Sequence, residues 1–146
     1  TLVSDRGTLI IGNETELPVV RIPECGIYIY NVHVRIELSL MKMPQNFVPS
    51  KEAFFITIDA DRVNFPFTVK AVSHGERFAP FGMKGTKLIS DYLTDKKRNY
   101  FERQRQLGLY DAQGELVWLI GERVANSVAC NEDTINVLSV RYLYDE

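Results

Sequence analysis

Residues 28–40, YIYNVHVRIELSL, alternate with a period of two. Every even position is apolar (Tyr28, Tyr30, Val32, Val34, Ile36, Leu38, Leu40), and the odd positions from Asn31 onward are polar (Asn31, His33, Arg35, Glu37, Ser39). Successive side chains of an extended backbone point to opposite faces, so the stretch predicts one long strand with a single buried face. A proline-containing loop, 43–50, precedes a second strand that sets Phe54, Ile56, Ile58 and Ala60 opposite Phe55, Thr57, Asp59 and Asp61. A third strand follows, with Phe65, Phe67, Val69 and Ala71 on one side.

The pattern changes after residue 72. Thr86 is in position to N-cap a short helix whose one side carries Leu88, Ile89, Tyr92 and Leu93, with Lys87 in its first turn. Asn99 followed three residues later by Glu102 has the form of a capping box, with Asn replacing the usual Ser or Thr. Residues 109–111, the turn Ala112-Gln113-Gly114 and the apolar run 116–120 read as a hairpin, and a last strand falls near 136–143. Strands on both sides of two short central helices predict an α+β fold with a mixed or antiparallel sheet, not a doubly wound one. The 146 residues read as a single domain, 1–146, divided into a β-rich part (1–72), a basic turn-helix segment (74–105) and a hairpin with the last strand (107–146).

Composition bounds the function. An apolar share of 45% and a charged share of 25% fit a globular protein. No apolar run approaches a bilayer span and no signal peptide opens the chain, so a membrane partner is not expected. Cys25 and Cys130 match no metal or redox spacing, which points to a reducing cytoplasm. The chain opens at Thr1 and soon enters the strand-like Thr8-Leu9-Ile10-Ile11, so it reads as a piece of a longer protein.

Charge is unevenly spread. Residues 74–105, HGERFAPFGMKGTKLISDYLTDKKRNYFERQR, hold eight Lys/Arg against four Asp/Glu, while the rest of the chain holds nine against fifteen. Lys84 lies within Gly82-Met83-Lys84-Gly85, where Gly82 and Gly85 would shape a turn that lets backbone N–H groups approach a ligand. Arg77, Lys87, Lys96, Lys97, Arg98, Arg103 and Arg105 extend the positive charge. Such a set suits phosphate contacts. Charge alone leaves two readings open: a nucleic-acid surface, or lysines that merely solvate a glycine turn and a helix end. Phe78, Phe81, Tyr100 and Phe101 interleave with the bases and would either pack beneath the helices or stack on unpaired bases.

Other chemistries find little support. Ser73 and His74 are adjacent, whereas triad partners converge from separate segments. Two Cys and two His without ligand spacing give no metal site, and no metal is expected. Asp59 and Asp61 could form a carboxylate pair, although solvation at a strand end explains them more simply. No phosphate-binding glycine loop follows a strand; residues 7–12 bracket one. Trp118, inside the run 116–120, reads as core.

The residues then become familiar. Arg77-Phe78, Pro80-Phe81-Gly82-Met83-Lys84-Gly85, Lys87-Leu88-Ile89-Ser90-Asp91-Tyr92-Leu93, Asp95-Lys96-Lys97, Arg103, Arg105 and Leu116-Val117-Trp118-Leu119-Ile120-Gly121 stand in an order and spacing that resembles the C-terminal domain of bacterial tRNA(Ile)-lysidine synthases. Asn99 and Leu107 depart from it, in neighbourhoods where that family often carries proline. The resemblance implies a fold similar to a sheet-containing domain of the phenylalanyl-tRNA synthetase β subunit. It implies that the parent is an ATP-dependent ligase joining lysine to an anticodon cytidine of isoleucine tRNA, with ATP and lysine as substrates of an N-terminal catalytic domain. The Ser-Gly-Gly-x-Asp-Ser loop of that domain does not occur here, so no catalytic residue and no cofactor are expected in this chain. Its implied task is to hold the tRNA body near the acceptor stem through Arg77, Lys84, Lys87, Lys96, Lys97, Arg98, Arg103 and Arg105. The competing expectation is a structural module that packs on the catalytic domain or builds a homodimer, its bases neutralised by Asp91, Asp95 and Glu102.

Overall fold

The structure, a computed structural model, describes residues 2–4, 7–9, 17–50, 52–73 and 75–144. Ile10, Ile11, Gly12 and His74, which figure in the sequence reading, lie outside the described residues. In chain order the elements are β1 (Leu2–Ser4), β2 (Gly7–Leu9), β3 (Val20–Ile22), β4 (Gly26–Tyr30), β5 (Val34–Lys42), β6 (Phe55–Asp59), β7 (Phe67–Ala71), β8 (Arg77–Phe78), β9 (Lys87–Leu88), α1 (Ile89–Asp95), α2 (Tyr100–Gln104), β10 (Leu107–Tyr110), β11 (Leu116–Leu119), β12 (Arg123–Val124) and β13 (Asn136–Tyr144). They form a five-stranded sheet ordered β12-β11-β10-β7-β3, a four-stranded sheet ordered β4-β5-β13-β6, and the two-stranded ribbons β1-β2 and β8-β9. Every pairing among these strands is antiparallel, so the α+β expectation holds and its sheet resolves to the antiparallel form.

One core joins the two large sheets. Ile36, Leu38, Ile58, Leu138 and Val140 of the four-stranded sheet pack with Phe67, Val69, Leu109, Val117 and Trp118 of the five-stranded sheet. Each such side chain removed from water contributes roughly 1.5–3 kcal/mol. Trp118 is core as expected, at 1% exposure, and its indole N–H has no hydrogen-bond partner among the described residues. A second cluster of Phe78, Ile89, Tyr92, Leu93 and Leu119, joined by Val72 and Leu116, seats α1 on the five-stranded sheet.

The opening stretch is corrected in an instructive way. It is not one long strand but the hairpin β4-β5, with Tyr30 opposite Val34, Tyr28 opposite Ile36 and Gly26 opposite Leu38. Asn31 and Val32 take left-handed backbone angles (φ 54° and 51°), and the His33 N–H donates to the Asn31 carbonyl at 2.6 Å. A three-residue reversal pairs even positions with even positions, so the alternation runs through the turn without a break. Val32, counted as inward, is the exposed tip of the turn, and Leu40 is exposed as well.

Two further elements differ. Ala60 does not extend β6; it opens a 3-10 turn, Ala60–Arg62, capped by Asp59, whose carboxylate accepts from the Asp61 N–H at 3.0 Å. The same buried carboxylate accepts from Thr134 Oγ1 at 3.1 Å and meets Arg62 Nε at 3.3 Å, while Asp61 accepts from Asn136 Nδ2. Asp59 and Asp61 are thus structural acceptors in separate bonds, not a poised acid and base. Thr86 is not an N-cap either. Lys87 and Leu88 pair with Phe78 and Arg77 as strand β9, which delays α1 to Ile89 and leaves Leu88 as an N-cap without a side-chain bond. By contrast, Asn99 caps α2 as its pattern predicts: its side chain accepts from the Glu102 N–H at 2.8 Å, and Glu102 accepts from the Asn99 N–H at 2.9 Å.

Candidate nucleic-acid interface

The glycine turn is held by its neighbours. Phe78 is buried edge-on against Tyr92, with ring centroids 5.4 Å apart, which anchors one end of the loop that leads to β9. Along that loop the Phe81 N–H donates to the Val124 carbonyl at 2.9 Å, and Arg123 Nη1 donates to the Phe81 carbonyl at 3.0 Å. Gly82 (φ 83°) and Gly85 (φ 69°) occupy the left-handed region that glycine enters without strain, and so carry Lys84 around an exposed bend. Arg77 closes the base of the loop, donating from Nε to Thr86 Oγ1 at 3.2 Å and from Nη2 to the Thr86 carbonyl at 3.4 Å.

Helix α1 ends in a six-to-one closure. The Arg98 N–H donates to the Leu93 carbonyl at 3.0 Å, and the Lys97 N–H to the Thr94 carbonyl at 2.9 Å. Lys97 takes φ 62°, the position a glycine usually fills in this motif. Its ammonium therefore projects from a fixed, mildly strained backbone.

Beyond Arg77, which is engaged with Thr86, the seven other bases differ in what holds them. The Lys87 ammonium is paired with the Asp95 carboxylate. Arg98 Nε donates to Glu122 Oε2 at 2.7 Å, with Glu122 almost buried, and this bond and the carboxylate's charge raise the guanidinium's pKa further. Arg103 Nη1 donates to the Arg98 carbonyl at 2.7 Å, tying α2 to the end of α1. These three brace the frame. Lys96 lies over the Tyr92 ring with its Nζ 5.6 Å from the centroid, and the Arg105 guanidinium lies over Phe101 at 5.3 Å. Lys84 and Lys97 are exposed, and neither ammonium has a partner among the described residues. Of the three acids named as neutralisers, Asp95 alone forms an ion pair among the described residues; Arg98 instead finds Glu122, from outside the segment.

Two features escaped the sequence reading. Arg123 reaches the glycine turn from β12, and no local pattern marks it because it stands forty-two residues beyond Phe81. Of the interleaved aromatics, Phe78 packs inward, but Phe81, Tyr100 and Phe101 are exposed at 44%, 69% and 64%. For metals, no group of three or more His, Cys, Asp or Glu comes together among the described residues. No described helix is long and apolar enough to cross a membrane.

The antiparallel sheets and two short helices superpose on two solved structures. A crystal structure of a TilS C-terminal domain superposes with a TM-score of 0.68 at 17% identity, over 88% of this chain and 99% of that one. An N-terminal fragment of the phenylalanyl-tRNA synthetase β subunit from Pyrococcus horikoshii gives a TM-score of 0.55 at 20% identity, over 62% of this chain and 28% of that one. At these identities the likeness is one of fold. No protein-family model matches the chain.

The sequence relatives are more particular. The chain is homologous to the C-terminal region of tRNA(Ile)-lysidine synthases. It is 37% identical over 123 residues to the enzyme of Parabacteroides distasonis, covering 83% of this chain and 27% of the relative. It is 37% identical over 103 residues to that of Bacteroides thetaiotaomicron, covering 68% and 24%. The chain therefore spans about a quarter of the length of these relatives.

Proposed function

We propose that this chain is the tRNA-binding accessory domain, 1–146, of a cytoplasmic tRNA(Ile)-lysidine synthase, and that it holds the tRNA body near the acceptor stem. A separate N-terminal domain of the same protein supplies the ligase chemistry that consumes ATP and lysine. The observation that carries the reading is that Lys84 and Lys97 are exposed and without a partner among the described residues, Lys84 between the left-handed Gly82 and Gly85 and Lys97 itself at φ 62°. Backbone held this way presents charge without first having to order it, and phosphate contacts are made by such charges. Homology to lysidine synthases supports tRNA as the anionic partner.

The test is a salt titration of tRNA binding by the chain. Affinity is expected to fall by about 0.7–0.9 log unit per decade of salt for each neutralised phosphate. Lys84→Gln and Lys97→Gly should each flatten that slope by about one contact. Lys97→Gly is the cleaner probe because glycine relieves the φ 62° strain, so lost binding cannot be blamed on lost folding. Binding indifferent to salt, or unchanged in both variants, refutes the reading. Self-association without RNA binding would favour a packing or dimerisation module, a role that the ion pairs of Lys87 and Arg98 alone would fit.

A further inference from the structure

The loop that leads into the glycine turn runs beside β12, the edge strand of the five-stranded sheet. The Asn126 N–H donates to the Ala79 carbonyl at 2.7 Å, Pro80 and Ala125 form an isolated antiparallel bridge, and the Phe81 N–H donates to the Val124 carbonyl at 2.9 Å. Beyond Phe81 this main-chain ladder stops. Every residue from Phe81 to Thr86 is exposed, and the Met83 N–H closes the bend on itself by donating to the Pro80 carbonyl at 3.1 Å. Among the described residues, two arginine side chains then tie the bend down. Arg123 holds its entry, with Nη1 donating to the Phe81 carbonyl at 3.0 Å, and Arg77 holds its exit through Thr86. A Cβ built on Gly82 would stand 3.7 Å from Arg123 Nη1, so the guanidinium lies against the bend itself.

The core gains little from such a clamp, because the bend buries no side chain. What the bend carries is charge, and within residues 82–85 that charge is Lys84. Glycine loses more conformational freedom than any other residue when it is fixed, so a bend with Gly82 and Gly85 is costly to order. A ligand that had to order it would bind more weakly by that cost. A guanidinium suits the task of ordering it beforehand. It stays protonated at any physiological pH, and its planar fork gives up little freedom for each hydrogen bond formed.

We infer that Arg123 is a positioning residue for RNA: it sets the glycine turn in place so that Lys84 meets a phosphate without first having to be ordered. The inference rests on the RNA-binding reading above and adds to it a residue outside the basic segment that acts through Lys84.

Arg123→Met keeps an unbranched stem and removes the donor. In salt titrations of tRNA binding, this variant is expected to lower the slope by about one phosphate contact, the same contact that Lys84→Gln removes. The double variant should therefore keep the slope of either single variant. A double variant whose slope falls by about two contacts overturns the inference, because Arg123 would then hold a phosphate of its own. An unchanged slope in Arg123→Met overturns it as well. Absence of tRNA binding in every form refutes the RNA reading and the phosphate role of Arg123 with it, an outcome distinct from these. Trypsin separates loss of the turn from loss of the fold and needs no RNA. Cleavage after Lys84 reports opening of the turn, whereas cleavage after Lys70, within β7, reports opening of the sheet. Loss of one charged hydrogen bond should speed cleavage after Lys84 by about tenfold in Arg123→Met and leave cleavage after Lys70 unchanged. Equal acceleration at both sites, or none after Lys84, overturns the inference.

Discussion

Replacing Arg98 by alanine separates bracing from binding. The arginine's Nε is 2.7 Å from Glu122 Oε2, and the two side chains are 40% and 9% exposed. Removing one partner of a fully buried pair costs about 3–5 kcal/mol, whereas fully exposed pairs are worth about 0–1 kcal/mol. A pair with one nearly buried carboxylate and one half-open guanidinium falls between, so Arg98→Ala should cost about 2 kcal/mol, mainly because Glu122 is left without its cation. For a domain of this size that corresponds to a Tm lower by roughly 4–8 °C. Urea denaturation of Arg98→Ala, Glu122→Gln and the double variant, read as a cycle, should show a coupling of about 1–2 kcal/mol. RNA affinity of the folded Arg98→Ala protein should change less than that of Lys84→Gln. Single-variant costs that simply add, together with a binding loss as large as that of Lys84→Gln, would refute this division of labour.

Other outcomes follow from packing and titration. A Cβ built on Gly108 would stand 2.7 Å from Leu116 Cδ1 and 2.9 Å from Val72 Cγ1, so Gly108→Ala should destabilise by about 1–3 kcal/mol in thermal denaturation despite its unexceptional φ. Tyr110 is buried and donates to the Glu76 carboxylate, and burial first, then that bond and charge, raise its pKa above the ordinary tyrosine value. Above pH about 10 the unfolded chain releases this proton while the folded chain keeps it, so stability should fall with rising pH by up to about 1.4 kcal/mol per unit. Tyr110→Phe should flatten that decline in urea titrations on either side of pH about 10, leaving the smaller slope due to Tyr92 and Tyr142, which are raised by burial too. An identical slope in the variant would show that Tyr110 is not the group responsible.

Much of the fold was legible wherever local chemistry and tertiary structure agree. The capping box at Asn99 and the hairpin around Gly114 depend on contacts a few residues apart, and both form as their patterns predict. The reading failed where a distant partner decides. Thr86 has the right side chain for a cap, but Arg77 takes its hydroxyl and β8 pairs with the next two residues. Nothing near Arg98 announces Glu122, twenty-four residues away. The hairpin β4-β5 was hidden for a different reason, because periodicity reports which face a residue occupies and not the direction of the chain. At the candidate interface the spacing of bases indicated where charge collects. Only the tertiary structure separates Lys84 and Lys97, which find no acid among the described residues, from Lys87 and Arg98, which already have acids of their own.

Strand β13 pairs with β5 along all nine of its residues and with β6 along five, so it joins the β4-β5 hairpin to β6 in its sheet. Its partners precede it in the chain by about a hundred residues for β5 and about eighty for β6. During synthesis the β4-β5 hairpin can zip as soon as it emerges, but β5 and β6 must then wait with open edges while the helices and the second sheet are made. Such edges invite pairing with other chains. The four-stranded layer is therefore the part of this protein most exposed to misassembly on the ribosome, and a stop anywhere before residue 136 should yield an aggregating product instead of a smaller folded one.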